Sequence, residues 1–176
     1  MIKISLNKLV IYIVTILILF LIPICTIVVN FYTINTGEIY LFKVRTYDPY
    51  DMLRGNYLNI QFDKDFIISN EIIDDTKDVY LELGIDNDGF AYFKNISNNK
   101  PKDSNIYFKT KCYYNKYSKE YKIDTPNRYY MNENKSKLAE ELYKNNLDNA
   151  YIKVSVKNGH MNILWLYIDN KLIDTY

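Results

Sequence analysis

Residues 9–29, LVIYIVTILILFLIPICTIVV, decide the architecture of this chain of 176 residues. The run carries no formal charge, and a helix of its length rises about 30 Å, which is the thickness of the hydrocarbon core of a bilayer. A secretory signal has a shorter apolar stretch that leads to small residues at a cleavage site, and no Ala-x-Ala-like tripeptide follows this run. The sequence therefore predicts an uncleaved transmembrane helix over residues 9–31.

Two residues inside the run allow other interpretations. Cys25 is preceded by Ile24 where a lipidated cysteine requires a small residue, so a lipoprotein is not expected. Pro23 removes a backbone hydrogen bond and favours a kink. The kink is either without consequence or the place where a partner helix packs.

Charges on the two sides of the run predict its orientation. Lys3 and Lys8 lie directly before it, whereas the first basic residue after it, Lys43, comes later and follows an acid. By the positive-inside rule, residues 1–8 are cytoplasmic and residues 38–176 form one extracytoplasmic domain. We therefore expect a single-pass protein of the cell membrane, with the lipid bilayer as its first partner.

The outer domain is close to neutral. Residues 38–176 contain all 21 acidic side chains and all but two of the 22 basic ones, which gives a net charge of about −1. Phosphate binding needs a concentrated positive face, so no nucleic-acid partner is expected. The preference of tyrosine for strands, together with a codon bias, explains most of the 19 tyrosines. They do not by themselves indicate a binding surface.

The two cysteines are separated by the predicted membrane boundary, because Cys25 lies in the apolar run and Cys112 in the outer domain. A disulfide framework is therefore excluded. Pairing of Cys112 with a second molecule stays open if the domain faces an oxidising medium.

Alternating apolar residues and turn signals predict a mainly β, α+β domain. Strands are expected over residues 38–46, 57–62, 78–85, 105–114 and 120–124. Asp88-Gly89 and Asn158-Gly159 each supply the positive φ of a tight turn, which predicts hairpins over residues 85–96 and 150–168. One short helix is expected over residues 134–146, where Leu138 and Leu142 have helical spacing.

Neither a metal site nor a cofactor site is indicated. Asp86 and Asp88 are similar to a fragment of a calcium loop, but its first and twelfth ligand positions fall on Gly84 and Asn95. His160 follows a turn without a second His or a Cys at ligand spacing. No catalytic residue is proposed, although a Ser-Lys hydrolase scheme stays open.

The stretch YDPYDMLRGNYL is the most distinctive in the chain. It loosely resembles the region around the active serine of membrane-bound signal peptidases, but it lacks the serine. The longer stretch DPYDMLRGNYLNIQF resembles the signature of the GDYXXLXY membrane proteins, in which Asp-Pro, an acidic residue and Leu-Arg precede a Gly-Asp-Tyr core. The residues that carry this resemblance are Asp48, Asp51, Arg54, Gly55 and Tyr57.

Three positions depart from the family core. Asn56 stands where Asp is usual, Ile60 where Leu is usual, and Phe62 where the second Tyr is usual. Asn56 would disable a catalytic acid at this position, which favours a structural or partner-binding motif. Downstream, Glu133 is similar to the glutamate of the family's Pro-Glu-Gly, with Asn on both sides in place of Pro and Gly.

The residues of the motif have a plain structural interpretation as well. A strand from Tyr57 places Tyr57, Asn59 and Gln61 on one face and Leu58, Ile60 and Phe62 in the core. Arg54 either pairs with Asp48 or Asp51, or presents its charge to a partner.

Three hypotheses for function remain. The family resemblance implies no particular activity, but members are often encoded beside multi-span membrane proteins, which implies a non-enzymatic accessory subunit with such a partner. A cell-envelope sensor or ligand-binding module is the second hypothesis. Its groove would be lined by Tyr113, Tyr114, Tyr117 and Tyr121. An extracytoplasmic hydrolase or peptidase is the third.

Overall fold

The computed structural model describes residues 6–46, 57–69, 71–74, 76–102, 104, 106–131 and 149–173. These residues form one helix followed by twelve strands. The elements in chain order are α1 (Leu6–Thr36), β1 (Glu38–Thr46), β2 (Tyr57–Phe62), β3 (Phe66–Ile67), β4 (Val79–Ile85), β5 (Ala91–Ser97), β6 (Phe108–Thr110), β7 (Cys112–Asn115), β8 (Glu120–Ile123), β9 (Arg128–Tyr130), β10 (Ala150–Lys157), β11 (His160–Ile168) and β12 (Lys171–Leu172). This arrangement confirms the predicted fold class. The short helix expected over residues 134–146 lies outside the described residues.

Helix α1 is apolar on all sides and stands clear of the domain over most of its length. Its side chains are exposed throughout residues 8–29. A helix with no polar face and no covering layer is suited to lipid, and this one is long and apolar enough to cross a membrane. It contains the predicted span and continues to Thr36, directly before the first strand.

The strands form three antiparallel sheets. A six-stranded sheet has the order β12-β11-β10-β1-β2-β9, and two three-stranded sheets have the orders β3-β8-β7 and β5-β4-β6. Strands β1 and β2 have the bounds that the apolar alternation predicts. The single strand expected over residues 105–114 is instead two strands, because the chain leaves its pairing with β4 at Thr110 and begins pairing with β8 at Cys112.

One continuous core joins the sheets. From the six-stranded sheet it receives Leu58, Ile60 and Phe62, which are fully or almost fully buried, as the strand alternation predicts. Phe93 of β5 packs its ring 5.4 Å from the ring of Phe42 and 6.4 Å from that of Phe108. This aromatic row connects the six-stranded sheet with the β5-β4-β6 sheet.

Both predicted hairpins are present. Gly89 and Gly159 adopt φ values of 84° and 88°, which fit glycine in tight turns. The Asp86 carboxylate accepts the backbone N–H groups of Asp88 and Phe90 at 3.0 and 2.8 Å. Asp86 therefore closes the turn, which gives a structural role to a residue that is similar to a calcium ligand.

Only Gly37 separates α1 from β1, and the end of the helix is bonded to the sheet. The Thr33 carbonyl accepts the Gly37 N–H at 2.9 Å and the Ser155 hydroxyl at 2.6 Å. Thr33 and Ser155 are 1% and 0% exposed. A Cβ at Gly37 would lie 2.6 Å from the Thr33 oxygen, so the close approach requires glycine. The helix and the domain therefore meet in a packed junction without a flexible linker.

Candidate functional site

The signature segment joins the domain at the end of β1 that is opposite the junction. Strand β1 begins beside the junction at Glu38 and ends at Thr46, and its nine residues span about 30 Å. Asp48, Asp51, Arg54, Gly55 and Asn56 lie outside the described residues, as does Glu133. The described part of the signature is β2.

Strand β2 presents two different faces. Ile60 and Phe62 point into the core at 1% and 0% exposure, so their side chains are closed to a partner in the folded domain. Tyr57, Asn59 and Gln61 are half-buried and share the opposite face. Among Tyr57, Ile60 and Phe62, the three described residues at family-core positions, Tyr57 is the one that faces outward.

Neighbouring strands extend this outward face. Antiparallel pairing sets Arg45 of β1 opposite Gln61, and on β9 it sets Arg128 opposite Asn59 and Tyr130 opposite Tyr57. Residues paired in this way have side chains on the same side of a sheet. We call this set the β2 face: Arg45, Tyr57, Asn59, Gln61, Arg128 and Tyr130.

An arginine next to a pair of tyrosines forms one end of the β2 face. The Tyr57 and Tyr130 ring centroids lie 5.6 Å apart, and the Arg128 guanidinium carbon lies 5.1 Å from the centre of the Tyr57 ring. A hydrogen bond to Tyr130, together with charge interactions with Tyr57 and Tyr130, raises the pKa of Arg128 above its ordinary value. Tyr130 is 65% exposed. A permanent cation flanked by aromatic rings therefore faces outward beside the signature.

A polar cleft of about 280 Å³ forms the other end. It is lined by Asn59 and Gln61 of the β2 face, and by Asp65 and Lys122, among others. Asp65 is 2% exposed and accepts a hydrogen bond from the Gln61 amide at 2.7 Å on Oδ2. Its Oδ1 lies 3.8 Å from an Arg45 nitrogen and accepts no hydrogen bond from the described part of the chain. The Arg45 cation thus offsets the charge of Asp65, while one buried acceptor stays unused.

Asp65 and the Arg128 cluster are not among the residues that the sequence singles out. Asp65 follows β2 in a turn without a recognisable motif. Arg128, Tyr57 and Tyr130 meet only because β9 pairs with β2, about 70 residues apart in the sequence. The signal for Tyr57 was the signature itself, and nothing local identifies its two neighbours.

The four tyrosines proposed to line one groove do not share a surface. Tyr113 and Tyr114 are consecutive in β7 and therefore point to opposite faces. Tyr121 is buried and packs its ring 5.0 Å from that of Tyr114. Tyr117 is 99% exposed in the following turn. The prediction that these four tyrosines line one groove is therefore wrong.

Cys112 and His160 occupy different surroundings. Cys112 is fully buried in the core, so pairing with a second molecule would require the domain to open. His160 is exposed at the start of β11, next to the turn, as its position in the sequence predicts.

An apolar N-terminal helix packed directly onto an antiparallel β domain defines a class of proteins in which one candidate membrane span carries one strand-rich unit. The chain belongs to the GDYXXLXY protein family, whose model matches residues 19–166. The match extends from the second half of α1 into β11, and so includes the junction and the β2 face. No curated protein and no solved structure matches the chain.

Proposed function

We propose that this protein is a membrane-anchored accessory subunit without catalytic activity of its own. Helix α1 crosses the cell membrane once with its N-terminus in the cytoplasm. The β domain stands on the outer side and binds a multi-span membrane protein through the β2 face. Orientation follows from Lys3 and Lys8 before the span and the absence of acidic residues from residues 1–37.

The observation that carries the proposal is the Tyr57–Arg128–Tyr130 cluster. Tyrosine and arginine are the residue types that contribute most to binding energy at protein interfaces, together with tryptophan. Here they are prearranged by strand pairing and ring contacts, which lowers the entropic cost of binding. Their position on the signature strand connects the cluster to the feature that marks the family.

The packed junction supports the same proposal. Hydrogen bonds from Gly37 and Ser155 to Thr33 hold the end of α1 to β10. A partner that contacts both the helix in the membrane and the β2 face would therefore meet two surfaces in a fixed relation. Because the β2 face lies about 30 Å along β1 from the junction, such a partner needs a portion outside the bilayer.

A second candidate function is a small-molecule binding module, and the cleft beside Asp65 favours it. A buried acceptor next to a polar cleft suits a ligand with a hydrogen-bond donor. The Ser-Lys hydrolase hypothesis has less support. A lysine acting as general base needs a lowered pKa, whereas the hydrogen bond to Asp78 raises the pKa of Lys109. The buried hydroxyl of Ser155 donates to Thr33.

Co-purification tests the proposal. Tagged full-length protein at native expression level is extracted in mild detergent, next to a variant with Arg128→Ala and Tyr130→Ala. The matched control is Lys116→Ala with Tyr117→Ala, which removes a cation and an exposed tyrosine from a turn far from β2. We expect a multi-span protein to co-purify with the native chain and with the control, and not with the β2-face variant. The unfolding temperature of the β2-face variant should equal that of the native chain. Equal retention by all three proteins would contradict binding through this face.

A further inference from the structure

The apolar part of α1 ends where the domain begins. Side chains are exposed from Lys8 to Val29, Asn30 is half-buried, and Thr33 is 1% exposed against the sheet. The uninterrupted apolar run ends at Val29, and beyond it the apolar side chains of Phe31 and Ile34 are still exposed. Since burial against the domain starts one residue after the run, no length of helix separates the domain from a bilayer that α1 spans.

The last two turns of α1 are slightly longer than a headgroup layer is thick. From Asn30 to Thr36 the helix rises about 9 Å, while the polar region of one leaflet adds about 5–7 Å to the hydrocarbon core. Over this length α1 packs on β10 and β11. The parts of the domain around Thr33 therefore lie at the depth of the lipid headgroups, and those around Thr36 lie at the outer edge of this layer.

The hairpin between β10 and β11 brings polar and basic residues to this end, where the Lys109 ammonium is paired with the Asp78 carboxylate at 2.9 Å. Lys157 and His160 are paired across the turn. Gly159 exchanges backbone hydrogen bonds with Tyr107 and Lys109 at 3.0 and 2.9 Å, which places β6 beside the turn. We call this set the basal surface: Tyr32, Lys109, Lys157, Asn158 and His160.

Lys157 is fixed beside the end of the helix. Its ammonium donates to the carbonyl and the hydroxyl of Thr36, each at 3.0 Å, and lies 4.8 Å from the centre of the Tyr32 ring. An ammonium has three donors, and Thr36 uses two of them. The described residues supply no acceptor for the third, which can therefore bind an acceptor outside the protein. Tyrosine rings beside a lysine are typical of the membrane interface, where the ring spans the polar boundary and the cation meets phosphate.

We infer that the basal surface binds the phosphate groups of lipid headgroups, with the Lys157 ammonium as its principal contact. This inference rests on the membrane anchoring in the proposed function, but not on the presence of a protein partner. The domain then contacts the bilayer through the basal surface in addition to its attachment through α1.

Spin-label depth measurements on the full chain test the inference. The chain is placed in lipid nanodiscs of phosphatidylcholine, with or without phosphatidylglycerol, with Cys25→Ala and the buried Cys112 retained. Single labels are attached at His160→Cys on the basal surface, at Asn170→Cys at the other end of β11, and at Ile16→Cys in the span. We expect the oxygen-to-nickel accessibility ratio to be severalfold higher at position 160 than at position 170, with a further rise in phosphatidylglycerol.

Lys157→Gln separates charge from fold, because it removes the cation and keeps a hydrogen-bond donor in the side chain. In this variant we expect the response to phosphatidylglycerol at position 160 to be lost. If the accessibility ratio at position 160 is that of a label in water while the ratio at position 16 is that of a label in hydrocarbon, the inference is overturned and the anchoring stands. An aqueous ratio at position 16 would overturn both. An unchanged phosphatidylglycerol response in Lys157→Gln would contradict the role of that ammonium.

Discussion

At the scale of single residues, Asp65 shows how the fold places a buried charge next to an open site. Its Oδ2 accepts from Gln61, its Oδ1 faces Arg45 at 3.8 Å, and its backbone carbonyl accepts the Ile123 N–H at 2.8 Å. Asp65 thus connects β2 with β8 at the edge of the cleft, through its carboxylate on the side of β2 and through its backbone carbonyl on the side of β8. A buried charge of this kind is retained in a fold only when nearby groups compensate it.

Two substitutions that remove this carboxylate should reduce the free energy of unfolding by different amounts. Asp65→Ala leaves the Gln61 amide and the Arg45 cation without their partner, and we expect a loss of about 1–3 kcal/mol in the free energy of unfolding. Asp65→Asn keeps an acceptor for Gln61 and should cost less. Urea unfolding of the full chain in detergent, followed by Trp165 fluorescence, measures both variants. A larger loss for Asn than for Ala would contradict the hydrogen-bonding role.

Tyr40 gives a prediction for pH. Burial, followed by the hydrogen bond of its hydroxyl to Glu38 at 3.0 Å, raises the pKa of Tyr40 to about 12 from 10.0. A raised pKa contributes stability that is complete below pH 10 and is lost as the pH rises through 12. Glu38→Gln should lower the pKa of Tyr40, because it removes the neighbouring charge. Ultraviolet pH titration of the two proteins measures this shift, and identical tyrosine titration curves would exclude the interaction.

At the scale of elements, the two turn glycines share a left-handed backbone and differ in their surroundings. Gly89 and Gly159 have φ values of 84° and 88°. A Cβ at Gly89 would meet nothing within 4 Å, whereas one at Gly159 would lie 2.9 Å from the Lys109 Cβ and 3.0 Å from the Tyr107 ring. The second turn is therefore packed against β6.

This pair of glycines measures the packing of β6 on the hairpin. Gly89→Ala should cost about 1 kcal/mol for a left-handed backbone. Gly159→Ala should cost a further 1–3 kcal/mol, roughly, because Lys109 and Tyr107 must move. Urea unfolding of both variants in the same detergent provides the comparison. Equal losses in the free energy of unfolding would mean that β6 can move away from the turn at no cost.

Elements with local signals could be predicted from the sequence, and contacts between distant elements could not. The alternation in 38–46 and 57–62 gave β1 and β2 their bounds, and the glycines located both turns. The break between β6 and β7 escaped prediction, because the change of partner strand is a tertiary event. Asp65 and the pairing of Arg128 with the signature strand depend on the same long-range register. The fold class was therefore predictable, but the residues around Tyr57 were not.

At the scale of the whole molecule, the domain has two functionally different ends. The packed junction and the basal surface lie at the end of β1 that meets the helix, and the β2 face extends to the other end. Because Gly37 is the only residue between α1 and β1, the axis of α1 sets the direction in which the β2 face points. The domain is suited to hold a surface at a fixed height and orientation for a partner.

Site-specific photo-crosslinking in native membranes tests the central claim, which is that the β2 face contacts a membrane protein. A photoreactive amino acid replaces Tyr130 in one full-length protein and Tyr117 in another, since both side chains are well exposed but only the first lies on the β2 face. The account predicts one crosslinked membrane protein from position 130 and none from position 117. No product from position 130, or the same products from both positions, would contradict it.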